Sequence, residues 1–162
     1  ELLQKFAGNI NDAEIEYFLQ MPINDNYLVG SIDMLIEDGN GSYEIWDWKS
    51  NNVLNLEEMR QAASHYEKQM KVYAGLFTLL HPEQEKIRCR LLFTKLAKTG
   101  AHSGKWTYTY TWTKSQVAEY LNDIKNKKGN EKRNCNLWIE IRIGNYKNEK
   151  HKYLGTQNPK KT

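Results

Sequence analysis

Three charged residues interrupt two stretches of sequence that otherwise read as buried strands. Tyr27–Ile36 and Tyr43–Lys49 are rich in β-branched, aromatic and aliphatic residues, and Asp38-Gly39-Asn40-Gly41 between them is a strong turn signal. Together they predict a β-hairpin. Asp33, Asp47 and Lys49 stand in the middle or at the end of its strands. Charged side chains are rarely buried without a partner, so three of them in core-like strands need a chemical reason. Strand alternation predicts Tyr43, Ile45, Asp47 and Lys49 on one face, with Val29, Ser31, Asp33 and Leu35 on one face of the other strand. A turn centred on Asn40 sets Asp33 opposite Asp47, with Cβ atoms about 5 Å apart. Like charges so placed repel, and a divalent cation between them removes the conflict.

Lys49 adds a second element. Two carboxylates can hold Mg²⁺ or Mn²⁺, and a bound metal lowers the pKa of a coordinated water. An ammonium two residues along the same strand face can orient that water or balance charge on a phosphate. The Asp-x-Lys triplet by itself carries little, because composition supplies about 0.7 of them by chance. A second one, Asp123-Ile124-Lys125, lies in a polar helical stretch and reads as structural. The position of Asp47-Trp48-Lys49 in an apolar hairpin opposite Asp33 is what distinguishes it.

The rest of the chain supplies a setting. Glu16–Met21 reads as a strand before the hairpin. Glu57–Leu80 then switches to helical spacing, with Met59, Ala62, Ala63, Tyr66, Met70, Tyr73, Phe77 and Leu80 recurring at steps of three and four. His81-Pro82 ends that helix. Ile87–Thr94 and Trp106–Trp112 read as strands around a glycine-containing loop, Lys98–Lys105, and Ser115–Lys127 as a second helix. Leu137–Ile143 is predicted as a short strand and residues 145–162 as a basic polar tail, leaving residues 1–144 as one domain. Alternation of strands and helices predicts an α/β fold with a mixed sheet. On the helix, Gln69 and Tyr73 are neighbours on one surface, and Tyr66 lies on the same stripe. An amide there is either a boundary residue of the core or a partner for the Lys49 site.

Composition and charge exclude several classes. The chain has 162 residues, 40% hydrophobic and 27% charged, which is the make-up of a folded domain. Cys89 and Cys135 are too few for a disulfide-stapled scaffold or a four-cysteine zinc or iron–sulfur site. The longest apolar stretch, Val72–Leu80, is too short to span a bilayer, and no secretory leader opens the chain, so no membrane association and a cytoplasmic, reducing setting are expected. Net charge is +3, but residues 1–47 carry −9 and residues 125–162 carry +8. That asymmetry fits acids that hold a cation and bases that meet a polyanion, or simply a solvated lysine-rich tail. Gly100–Trp106 lacks the spacing and the Ser or Thr of a phosphate loop. His65, His81, His102 and His151 lack metal-ligand spacing, and Ser64-His65 lacks the glycines of a nucleophile elbow. The five tryptophans read as core or strand-face aromatics, or as platforms for bases.

Gly30-Ser-Ile-Asp33, Trp46-Asp47-Trp48-Lys49-Ser50-Asn51 and Tyr66-x-x-Gln69-x-x-x-Tyr73 occur in an order and spacing that resemble the PD-(D/E)XK nucleases, covering about residues 16–95. Within that superfamily they most resemble the RecB/AddA-type nuclease domain at the C-terminus of bacterial helicase–nucleases. The resemblance implies a restriction-endonuclease-like core, a mixed sheet flanked by helices, acting as a Mg²⁺- or Mn²⁺-dependent deoxyribonuclease. By it, Asp33 and Asp47 are metal ligands with the Trp48 carbonyl a third, Lys49 is catalytic, and Gln69 and Tyr73 line the site and the DNA path. By the same resemblance, Glu16 matches an acidic position seen in relatives. It further implies exonuclease action on DNA in repair or recombination, with a helicase in the same parent chain or as a subunit, and without an iron–sulfur cluster. Related domains carry a metal-binding histidine upstream of the first aspartate; no histidine precedes Asp33, and the chain opens on Glu1, as expected of a piece of a longer protein. The alternative is a nuclease fold that keeps DNA affinity without catalysis.

Overall fold

The computed structural model describes residues 13–23, 26–37, 40–98, 106–126 and 141–142. They form a mixed sheet with the strand order β1–β2–β3–β4–β5 and two long helices on one face. β1 (Glu14–Ile23), β2 (Asn26–Glu37) and β3 (Tyr43–Lys49) are an antiparallel meander. Helix α1 (Leu56–Leu80) crosses over to β4 (Lys86–Phe93), which lies parallel to β3. A five-residue helix, α2 (Thr94–Lys98), precedes β5 (Thr107–Thr113), which is antiparallel to β4. Helix α3 (Lys114–Asn126) closes the described core, and β6 (Ile141–Arg142) pairs with Tyr27 and Leu28 of β2. The fold is the α/β arrangement expected of a restriction-endonuclease-like core. Among the described residues, no helix is long and apolar enough to cross a membrane.

The predicted strands and long helices form with ends shifted by a few residues at most. Helix α2 is a correction, because the sequence reads as strand up to Thr94 and five residues are too few to show a period. Of the predicted strand Leu137–Ile143 only Ile141–Arg142 is described, and the loop residues 99–105 and the tail 145–162 lie outside the described residues.

α1 starts where Asn55, in extended conformation, accepts the N–H groups of Glu57 and Glu58 on its side-chain oxygen, at 3.0 and 2.9 Å. Two of the helix's four unpartnered donors are thereby satisfied. Glu58 reaches back to Leu54 N at 2.9 Å and Asn55 Nδ2 at 2.7 Å. At the far end His81 N donates to Phe77 O, and the His81 ring stacks on Phe77 at 4.2 Å between centroids. The buried stripe of α1 lies on the sheet. Tyr110 Oη donates to Ala63 O, Tyr43 and Tyr17 pack against Phe77, and Leu121 of α3 lies over Gly75.

The β2–β3 ladder runs in the predicted register from Glu37↔Tyr43 to Met34↔Trp46 and ends there, one step before Asp33 and Asp47. The predicted alternation of β2 does not hold through Asp33. Leu35 pairs with Ile45, which shares the α1-facing side of β3 with Tyr43. Gly30 also faces α1, for a Cβ there would lie 2.6 Å from Tyr73 Cε1, and Ile32 pairs with Tyr17, which packs on Phe77. Residues 30 and 35 cannot share a face in a regular strand, so the pleat slips by one between Ile32 and Leu35. β1 carries the matching irregularity. Pairing skips Glu16 opposite Asp33, and Glu16 takes φ 56, a left-handed value that costs a non-glycine residue about 1 kcal/mol.

Two stability outcomes follow. Gly30→Ala forces the buried Tyr73 ring to move and should cost about 1–3 kcal/mol in denaturant unfolding, with a smaller cost in a Tyr73→Leu background. Asn55→Ala should cost about 0.5–2 kcal/mol through loss of the α1 cap, read by the same unfolding experiment.

Candidate active site

The site forms where β2 and β3 part. Trp48 N, which no longer meets a β2 carbonyl, donates instead to Asp33 Oδ2 at 2.7 Å. Asp33 therefore does not pair with Asp47 across a ladder as predicted; it fills the gap where the strands diverge and remains half-exposed. Asp47, on β3, is only 4% exposed. Burial raises its pKa above the ordinary carboxylate value; the Lys49 ammonium opposes that rise and the Asp33 charge adds to it. The two carboxylates thus sense each other electrostatically, as the hairpin register implies.

Lys49 is the centre of the cluster. Its Nζ lies 2.6 Å from Asp47 Oδ2 and donates to Gln69 Oε1 at 3.0 Å. The Tyr66 ring lies beneath it, 3.9 Å from Nζ to the centroid, a cation–π contact. Gln69 Nε2 donates to Tyr73 Oη at 3.2 Å, so a chain of polar contacts runs from Asp47 through Lys49 and Gln69 to Tyr73. Tyr73 is buried, and that burial together with the charges of Asp47 and Asp33 pushes its pKa up to about 12. Its hydroxyl therefore keeps its proton and acts as a fixed dipole. Four elements supply the setting. β2 brings Asp33, β3 brings Asp47 and Lys49, α1 brings Tyr66, Gln69 and Tyr73, and Thr94 at the start of α2 donates its hydroxyl to Lys49 O at 3.3 Å.

Of the residues singled out for the site, Asp33, Asp47, Lys49, Tyr66, Gln69 and Tyr73 bring side chains here, Trp48 contributes its backbone N–H, and Glu16 stays outside. Sequence reasoning quoted Asn51 within its motif but gave no role to that residue, whose Oδ1 accepts from Tyr66 Oη at 2.8 Å, nor to Thr94. Both act across 15 and 45 positions, and no local spacing signals either. Glu16, the other acidic residue near the first motif, is exposed and pairs with nothing opposite Asp33 in the ladder.

A divalent cation fits the donor set. Asp33 and Asp47 offer hard carboxylate oxygens, and the buried Asp47 Oδ2 receives no aligned hydrogen bond beyond its contact with the Lys49 ammonium. Among the described residues no cluster of three or more His, Cys, Asp and Glu side chains gathers. A cation here would therefore rest on two carboxylates with backbone and water oxygens, as Mg²⁺ commonly does.

No curated protein matches the chain. Among solved structures, the crystal structure of a protein designated SSO0001 is similar at 19% identity and a TM-score of 0.37, over 75% of this chain and 53% of that one. The matched part spans about half the length of that protein. The sequence profile of the PD-(D/E)XK nuclease superfamily matches residues 2–153, nearly the whole chain, and includes every residue of the cluster around Lys49. The chain belongs to the PD-(D/E)XK nuclease superfamily.

Proposed function

We propose that this protein is a metal-dependent deoxyribonuclease that hydrolyses phosphodiester bonds with Asp33, Asp47 and Lys49. The observation that carries the reading is Lys49, a residue 9% exposed, whose ammonium lies 2.6 Å from the Asp47 carboxylate and is held by contacts from α1. A structural ion pair does not require a glutamine and a tyrosine ring around one lysine; a centre that must present a cation at a fixed point does. The Asp33 and Asp47 carboxylates and the Trp48 carbonyl are the groups proposed to hold Mg²⁺ or Mn²⁺. An ion held there would supply a water of lowered pKa and offset charge on the phosphate. Lys49 positions the attacking water and balances charge that develops on the phosphate oxygens. Gln69 fixes the direction of the ammonium, and Tyr73, locked against Gly30, fixes Gln69. Exonuclease action and work beside a helicase, in the same parent chain or as a subunit, in repair or recombination form the finer part of the proposal. That part rests on the likeness of the three motifs to RecB/AddA-type domains.

The test is cleavage of labelled linear single- and double-stranded DNA in Mg²⁺ or Mn²⁺ against EDTA. Asp47→Ala should abolish metal-dependent cleavage, and Lys49→Ala should lower it roughly a hundred- to ten-thousand-fold with the fold retained. Full activity in either variant removes the assignment. DNA binding without cleavage by the unaltered protein turns the reading to a binding module that has kept the fold.

Metal addition should also register in stability. The folded pKa of Asp47 lies above its unfolded value, so its contribution to stability is full below the ordinary carboxylate pKa and is lost as pH rises through the folded value. At neutral pH the buried carboxylate is therefore a cost that a divalent cation relieves. Mg²⁺ at a hundred times its Kd should stabilise the fold by about 2.7 kcal/mol. Thermal unfolding should show that gain shrinking as pH falls toward the carboxylate range, and vanishing in Asp47→Asn.

A further inference from the structure

Beside the Lys49 cluster lies a groove of about 440 Å³, lined by Asn51, Asn52, Val53, Gln61, His65 and Tyr66 among others. It adjoins the site, since Tyr66, which lines it, lies under the Lys49 ammonium and is tied to Asn51. Its volume is within the roughly 300–1,000 Å³ usual for small-ligand clefts. No Lys or Arg lines it, so it offers no permanent positive charge to a phosphate. Its carboxylate, Glu58, is already engaged, one oxygen by Leu54 N and the other by Asn55 Nδ2. What remains is an imidazole and a phenol ring, amide donors and acceptors from two asparagines and a glutamine, and the apolar surface of the buried Val53. Flat apolar faces edged by neutral hydrogen-bonding groups are complementary to a nucleobase.

We propose that this groove is a nucleobase subsite, taking the base of a nucleotide adjacent to the phosphate held at Lys49. The inference rests on the reading of Asp33, Asp47 and Lys49 as a phosphodiester centre. A base enters such a groove only when it is unpaired, since flipping one from a duplex costs a few kcal/mol. The substrate class selected is therefore single-stranded nucleic acid, or the frayed end of a duplex. Asn52 and His65 are exposed and make no contact with the carboxylates, so they set affinity for the base without touching the cation site.

The experiment compares equilibrium binding, by fluorescence anisotropy in EDTA, of a short oligothymidylate and an equal-length chain of abasic spacers. The unaltered protein should prefer the oligothymidylate by about 5- to 150-fold, the range for one stacked base. The double variant Asn52→Ala/His65→Ala should lose that preference while binding the abasic chain as before. Gln61→Ala, should the double variant fail to fold, should reduce the preference in the same direction. Equal binding of both chains, binding of neither, or an undiminished preference in the folded variants overturns the proposal. Cleavage in Mg²⁺, measured separately, reports on the catalytic reading. Base preference without cleavage keeps the subsite and removes the nuclease assignment, and cleavage without base preference does the reverse.

Discussion

A buried ammonium that is not allowed to leave organises this structure. Lys49 sits at the end of β3 with little access to water, where an isolated charge is expensive. It is retained because Asp47, Gln69 and the Tyr66 ring surround it, each from a different position on the strand or helix. The same lysine makes burial of Asp47 tolerable, and the same glutamine gives Tyr73 a partner. Removing one partner of such a set leaves another group buried and unmatched, so the network is worth more whole than as separate contacts.

The strands part at the proposed site. As long as β2 and β3 pair, every backbone donor is taken up by the ladder and no carboxylate is needed there. At Asp33 the pleat slips, Glu16 in β1 adopts a left-handed conformation, and Trp48 N–H turns to a side chain. A sheet that continued regularly would have set the two aspartates in direct opposition on one face. The irregularity instead staggers them, one deep and one half-exposed, with the shallower anchored to the backbone beside the deeper. Strain next to a functional group, stabilised by the surrounding sheet, is a recurrent feature of catalytic proteins.

Most of this was legible in the residues. Asp33, Asp47 and Lys49 stood out because charges in apolar strands conflict with burial, and the turn at Asn40 set their register correctly to within one ladder step. Helical spacing on Tyr66, Gln69 and Tyr73 announced one surface, and that surface does face Lys49. What period and propensity could not express was the slip at Asp33, since alternation assumes a regular pleat and the cause lies in the neighbouring strand. Thr94 and Asn51 were equally silent, because a side chain that supports a site from a distant element carries no local signature. Helix α2 was too short to have a period at all.

α1 works as a ruler laid along the sheet. It is fixed at Ala63 by Tyr110, at Gln69 by Lys49, at Met70 by the Cys89 thiol, at Tyr73 by the bare backbone of Gly30, and at Phe77 by Tyr17 and Tyr43. Advancing a helix by one residue translates each side chain about 1.5 Å and rotates it about 100°. No single mark can therefore be shifted while the others stay in place. Changes of chain length between Ala63 and Phe77 would throw the polar chain out of phase with the carboxylates, whereas the connection before the Asn55 cap lies outside the graduated part. The spacing Tyr66-x-x-Gln69-x-x-x-Tyr73 is in this sense a length standard for the sheet as much as a set of functional groups.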